Sequence, residues 1–198
     1  MNLTKKQKSA IAGMILGDGY LQKTGAKNAR LRLEHRAEHR EYLIWKANLL
    51  PQLFQGTSTL LDRVHPKTNK MYHYARHQSG ASPYLGKLRA LFYRDGKKHI
   101  PANVEKLLRD DIGFAIWYYD DGYYYKRDHC AYLYLGKVGP IEANIASETI
   151  QKKFGLKNTV LDKKNKGFAI YFPPTEKEKI RQIVEKYPVP VMAYKIPS

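Results

Sequence analysis

The sequence predicts an α+β protein built from two copies of one αββαββα unit. Three observations carry that reading. Residues 11–19 and 114–122 align without gaps as apolar helical runs that end in Asp-Gly, which places Asp18 and Asp121 103 residues apart. Around each run the same signals recur in the same order: helix, hairpin, helix, hairpin, helix. Each copy closes on a basic-Ile-Pro element, Lys98-His99-Ile100-Pro101 in the first and Lys195-Ile196-Pro197 in the second. The copies divide at 1–98 and 99–198. The join near 96–103 is short, so the two are expected to form one compact pseudo-dimeric unit.

The elements follow in chain order. Thr4 and Gln7 fit a capping box that opens the first helix, and Gly17-Asp18-Gly19 stops it. Residues 20–36 read as a hairpin turning near 24–28. Residues 30–36 alternate strictly, with Arg30, Arg32, Glu34 and Arg36 on one face and Leu31 and Leu33 on the other. Residues 38–54 carry Tyr42, Leu43, Trp45, Lys46, Leu49, Leu50 and Leu53 at helical spacing, with Trp45 and Leu49 read as core. A second hairpin turns at 66–70, and Tyr72, Tyr74, Arg76 and Gln78 share one face of its outgoing strand. Ser82-Pro83 opens the next helix with an N-cap and a first-position proline. In the second copy a helix spans about 110–121, strands flank 126–128, and Gly139-Pro140 opens a helix over 140–155. A hairpin turns at 163–167, and Thr175 with Glu178 reads as a capping box for the last helix.

Composition narrows the function. The 198 residues hold 35 Lys+Arg against 18 Asp+Glu, a formal net charge of +17, and 43% are hydrophobic. That apolar content excludes a disordered chain. The single Cys130 excludes a disulfide scaffold. No run of 18 apolar residues exists to span a membrane, and the positive charge is spread along the chain rather than gathered on one amphipathic helix. No long apolar stretch follows Met1-Asn2-Leu3-Thr4, so an intracellular place is expected, in cytoplasm, nucleoid or an organelle matrix, and not secretion. So much positive charge points to a polyanion as partner.

The two Asp-Gly helices suggest the chemistry. Asp18 and Asp121 sit at helix C-termini, the negative end of the dipole, where a carboxylate costs roughly 0.3–1 kcal/mol. Asp120 beside Asp121 adds to the strain. A divalent cation would relieve it, and carboxylate and carbonyl oxygens suit Mg²⁺. Ala12, Gly13, Gly113 and Ala115 are small enough for the two helices to pack closely, which would bring their acidic ends together. Two carboxylates with metal ions at such a place suit two-metal phosphodiester hydrolysis. The alternating strands offer a partner surface. Arginine bridges guanine O6/N7 and glutamine pairs with adenine, so Arg30, Arg32, Glu34, Arg36, Tyr72, Tyr74, Arg76 and Gln78 are candidate DNA contacts, with Tyr123, Tyr125 and Arg127. Lys67, Lys70, Lys163, Lys164 and Lys166 in the hairpin turns would meet phosphates. His35/His39 and His73/His77 have an i,i+4 spacing but no helix and no cysteines to make zinc sites, and are expected to be surface or DNA-facing histidines.

Ala12-Gly13-Met14-Ile15-Leu16-Gly17-Asp18-Gly19 and Phe114-Ala115-Ile116-Trp117-Tyr118-Tyr119-Asp120-Asp121-Gly122 resemble the paired signature helices of the LAGLIDADG homing endonucleases. The segments 97–101 and 192–197 are similar to the lysine-bearing elements of the single-chain, intron-encoded members. The resemblance runs in order along nearly the whole chain. It implies antiparallel saddle-shaped sheets over a long asymmetric DNA site, two central motif helices, and a monomer. It implies Mg²⁺, with Ca²⁺ or Mn²⁺ as substitutes, held by Asp18 and Asp121 with help from Gly17 and Asp120. Lys98 and Lys195 match the family's active-site lysines. The implied reaction is site-specific hydrolysis of both strands of double-stranded DNA, leaving 3′ overhangs. The sequence departs from the family pattern within 134–138, where Gly136 stands at a position usually held by glutamine. A host-intron RNA is the second candidate partner, for a splicing maturase, and a non-cleaving DNA-binding protein is a further alternative. Retention of both aspartates favours the nuclease.

Overall fold

The computed structural model describes residues 2–198. The first copy runs α1 (Lys5–Leu16), β1 (Tyr20–Lys23), β2 (Ala29–Arg36), α2 (Arg40–Asn48), β3 (Thr59–Val64), β4 (Met71–Gln78) and α3 (Pro83–Phe92). A short hairpin follows, β5 (Tyr93–Arg94) and β6 (Lys97–Lys98). The second copy is α4 (Asp111–Asp121), β7 (Gly122–Tyr125), β8 (Cys130–Gly136), α5 (Pro140–Phe154), β9 (Thr159–Asp162), β10 (Phe168–Phe172) and α6 (Lys177–Glu185). Each copy forms a four-stranded antiparallel sheet, in the orders β1-β2-β4-β3 and β7-β8-β10-β9. Corresponding strands hold corresponding places. This is the duplicated αββαββα architecture that the repeat predicts.

Contacts gather the chain into two compact units. One holds the chain up to Gly17 with Phe92–Pro188 and Ala193–Ser198; the other holds Asp18–Leu91 and Val189–Met192. The first unit is organised on the pair α1 and α4. Ser9 to Leu16 of α1 and Ile112 to Tyr119 of α4 are all buried, as expected of helices apolar on every side. Thr4 caps α1: its hydroxyl accepts from the Gln7 amide at 3.1 Å, and the Gln7 side chain accepts from the Thr4 amide at 3.1 Å. The Asp110 carboxylate caps α4 through the Ile112 amide at 3.1 Å. Glycines set the separation of the helices. A Cβ on Gly13 would overlap the Gly113 carbonyl, and a Cβ on Gly113 would overlap Ser9. Ser9 Oγ closes the contact by donating to the Asp110 carbonyl at 2.8 Å. The sheet of this unit buries Ala131, Leu133, Ala169, Ile170 and Phe172. Phe114 of α4 joins them to α5 through rings 5.1 Å from Phe154 and 6.2 Å from Phe172.

The second unit buries Leu21, Ala29, Leu31, Leu33 and Ala75 of its sheet beneath α2. α2 stops at Asn48 rather than running through residue 54, because Pro51 disfavours helical backbone at the residue before it. Its buried face differs from the expected one at Trp45 and Leu49. Lys46 is fully buried, its ammonium 4.4 Å over the Tyr42 ring, while Trp45 and Leu49 are half-buried. The capping box expected at Thr175 and Glu178 is not formed. Pro174 starts a short 3₁₀ turn instead, α6 begins at Lys177, and the buried Glu176 carboxylate pairs with Lys179 at 3.3 Å. Among the described residues, no helix is long and apolar enough to cross a membrane.

Candidate active site and nucleic-acid faces

The ends of α1 and α4 are built alike. Lys98, on β6, donates from Nζ to the carbonyls of Ile15 at 2.9 Å and Gly17 at 2.5 Å. Lys195 donates in the same way to the carbonyls of Tyr119 at 2.6 Å and Asp120 at 2.8 Å. The lysines come from the two basic-Ile-Pro elements, so the repeat extends to this contact. An ammonium on the last carbonyls offsets the negative end of each helix dipole. Part of the cation that the acidic helix ends call for is therefore the protein's own. A carbonyl oxygen carries two lone pairs, so Gly17 and Asp120 keep acceptor capacity beyond the lysine. Gly17 cannot be larger, since a Cβ there would overlap the Asp120 carboxylate.

Asp121 and Asp120 are half-buried and Asp18 is exposed. Asp121 lines a cavity of about 380 Å³ with Gly17, Lys98, Trp117, Tyr134 and Gly136. Gly136 adopts φ of 68°, a left-handed conformation that glycine takes without strain, and contributes no side chain there. In the other unit Asp18 lies beside His35, with Oδ2 3.7 Å from Nδ1. His35 packs against Tyr42 with ring centroids 5.1 Å apart and planes tilted by 46°, and its side chain is 8% exposed. His77 is buried against Phe54, and burial pushes its pKa down. These two histidines are not at the surface, one of the two placements expected of them. The reason is β alternation, which sets residues 35 and 77 on the faces opposite Glu34 and Gln78.

Each sheet presents one polar face. In the first, Arg30, Arg32 and Glu34 of β2 are half-buried and Arg36 is exposed, while Tyr72, Tyr74, Arg76 and Gln78 of β4 are half-buried on the same face. Register places Arg32 opposite Gln78, Glu34 opposite Arg76 and Arg36 opposite Tyr74. The side chains are already cross-linked. Glu34 accepts from Arg63 at 2.6 and 2.9 Å and from Arg76 at 2.8 Å, and Arg30 donates to Gln78 at 3.2 Å. Arg63 was not among the residues expected on this face; only the pairing of β3 with β4 brings it there. The second sheet presents tyrosines. Tyr123, Tyr125, Tyr132, Tyr134 and Tyr171 form ring contacts of 4.6 to 6.2 Å, with Lys163 Nζ 4.8 Å over Tyr132. Burial and a hydrogen bond with Tyr125 push Tyr134 up to about 12. Tyr132, Tyr134 and Tyr171 were also missed, although alternation through β8 carries the first two. Lys67, Lys70, Lys164 and Lys166 are exposed in the hairpin turns, and Arg127 is exposed and paired with Asp128 at 2.8 Å.

A duplicated αββαββα chain with an acid and a lysine at each motif-helix end and a polar face on each sheet defines a nucleic-acid enzyme. Residues 8–180 match the model of the LAGLIDADG DNA endonuclease family, and the chain belongs to that family. Its activity class is that of a site-specific DNA endonuclease, a hydrolase. Among curated proteins it is 29% identical to DNA endonuclease I-ChuI of Chlamydomonas applanata, over 99% of this chain and 96% of that protein. Among solved structures it is similar to the homing endonuclease I-WcaI bound to its DNA recognition sequence. The TM-score is 0.87 at 25% identity, over 99% of this chain and 88% of that one. The structure of I-DmoI in complex with DNA and Mn shares the fold, with a TM-score of 0.53 at 13% identity over 93% of this chain and 99% of that one.

Proposed function

We propose that the chain recognises a long asymmetric DNA site through its two sheet faces and hydrolyses both strands in a Mg²⁺-dependent reaction that leaves 3′ overhangs. The observation that carries this is the repeated helix end: Asp-Gly with a lysine ammonium on the last carbonyls, found once on α1 and once on α4. The donor set fits Mg²⁺. At the end of α1 Asp18 and the Gly17 carbonyl, and at the end of α4 Asp121 and the Asp120 carbonyl, are hard oxygen donors, and each set would hold a metal ion. Bound there, Mg²⁺ would supply a hydroxide nucleophile at neutral pH and stabilise charge on the phosphate. The chain's own groups do the rest. The ammonium groups of Lys98 and Lys195, held at the helix ends, place positive charge where the phosphate oxygens gain negative charge. Lys98 also lines the cavity at Asp121, where it can orient an attacking water. In the reaction the water gives up a proton to solvent as its oxygen bonds to phosphorus, the P–O3′ bond breaks, and the 3′ oxygen takes a proton, which leaves a 5′ phosphate and a 3′ hydroxyl. The arginine-rich face reads bases by hydrogen bonds, and the tyrosine face offers apolar area with hydroxyl tips.

The test is cleavage of a randomised-site plasmid library with Mg²⁺ and with Ca²⁺, by the wild type and by Asp121→Asn. Discrete double-strand cuts with Mg²⁺ that the substitution abolishes are expected. Selective DNA binding with no cut would replace the nuclease by a non-cleaving binder. Absence of both would turn the search to host-intron RNA.

A further inference from the structure

We infer that the His35 imidazole is a ligand, together with the Asp18 carboxylate, of a divalent cation, so that this place binds Mn²⁺ or Co²⁺ more tightly than Mg²⁺. The inference rests on the endonuclease reading for the role of Asp18. Alternation along β2 sets His35 on the side of Leu31 and Leu33, where an apolar side chain would be the ordinary choice. Its Nδ1 stands 3.7 Å from Asp18 Oδ2, beyond hydrogen-bond length. That distance falls within the span of two ligands on one ion. Bonds of about 2.1 Å leave their ends about 3.0 Å apart at a right angle and about 4.2 Å apart when opposed. The imidazole is packed against the Tyr42 ring, centroids 5.1 Å apart and planes tilted by 46°, and its side chain is 8% exposed. The Asp18 side chain is 51% exposed, which leaves coordination positions open to water or a phosphate oxygen. The second copy is different: His99, which lines the cavity at Asp121, lies 3.6 Å from the Glu142 carboxylate. An imidazole raises affinity along the series of first-row metals and does little for Mg²⁺, so the two motif acids differ in metal preference.

Pulsed EPR of the full-length protein with Mn²⁺ alone tests this. Nitrogen modulation from one imidazole is expected in the wild type. It should persist in His73→Gln, which removes the exposed Asp62–His73 pair at 2.7 Å as a competing site. It should vanish in His35→Gln, with Mn²⁺ affinity falling about tenfold. Asp18→Asn, an isosteric change at a side chain that is 51% exposed, should weaken Mn²⁺ in the same way, so the conclusion does not hang on the folding of the His35 variant. Mn²⁺ bound without nitrogen modulation, no Mn²⁺ binding at all, or modulation that disappears only in His73→Gln would overturn the inference. Any of these alongside Mg²⁺-dependent cutting of DNA would leave the endonuclease reading standing. A nitrogen signal lost with His35 in a protein that cuts no DNA would support the site and sink that reading.

Discussion

Glu34 is the residue on which the arginine-rich face turns. Its carboxylate holds both Arg63 and Arg76, so two guanidinium groups are fixed before any DNA arrives. Burial pushes the Glu34 pKa up, but the hydrogen bonds from Arg63 and Arg76 outweigh it and hold the carboxyl below its ordinary 4.5. A depressed acid contributes order that is present above its unfolded value and lost as pH falls through the folded one. Selective binding should therefore be flat through neutrality and fall on the acid side of pH 4.5. Glu34→Gln should weaken binding to the preferred site by about 1 kcal/mol, an amount discounted for the partial exposure of the pair, and leave binding to scrambled DNA nearly unchanged. Titration of the two DNAs by fluorescence anisotropy checks this, and equal losses on both would remove Glu34 from specificity. The lysines give a sharper case at the same scale. Lys98→Met and Lys195→Met should each slow single-turnover cleavage by about a hundredfold, with DNA affinity changed by less than about threefold. A loss confined to affinity would make these lysines phosphate anchors.

Helix packing sets the next limit. α1 and α4 touch through Gly13 and Gly113 with no space for a methyl group. Gly13→Ala must push one backbone off the other, and overpacking of this kind costs about 3 kcal/mol. For a chain of this size that lowers Tm by about 10 °C. Gly25, in a turn with nothing near its Cβ position, is the control, and Gly25→Ala should leave Tm in place. Differential scanning fluorimetry separates the two; equal shifts would mean that the helices part without cost. The same elements show what could be read in advance. The capped motif helices, the alternation of β2 and β4 and the hairpin turns were all legible, because each is set by residues within a few positions of one another. The Asp95-Gly96 turn of β5 and β6 carried its signal too, with φ of 49° and 75°, but strands of two residues have no periodicity to read. His35 beside Asp18, Arg63 beside Glu34 and the lysines on the helix carbonyls depend on register and on contacts between distant segments. Local pattern does not encode those. Lys46 lies over Tyr42 because the two stand four residues apart on one face of α2, while its burial follows from how α2 lies on its sheet.

Over the whole molecule, the formal charge of +17 makes affinity for DNA strongly salt-dependent, yet charge alone does not say which lysines carry it. The structure sorts them. Lys163 is held over Tyr132 and belongs to the tyrosine face, whereas Lys67, Lys70, Lys164 and Lys166 are exposed in the turns of the two hairpins. On the proposed function these exposed turn lysines meet phosphates, so their contribution should be electrostatic and blind to sequence. Each phosphate contact adds about 0.9 to the slope of log affinity against log salt. Changing all four to glutamine should lower that slope by about 3.6, weaken preferred and scrambled DNA alike, and leave the ratio between them intact. Arg32→Ala should do the opposite, cutting the ratio by about 1–3 kcal/mol while moving the slope by no more than about 1. Binding isotherms from 50 to 200 mM salt on both DNAs distinguish the two classes. A quadruple variant whose slope is unchanged would place the turns in solvent and shift the whole electrostatic load onto the sheet faces.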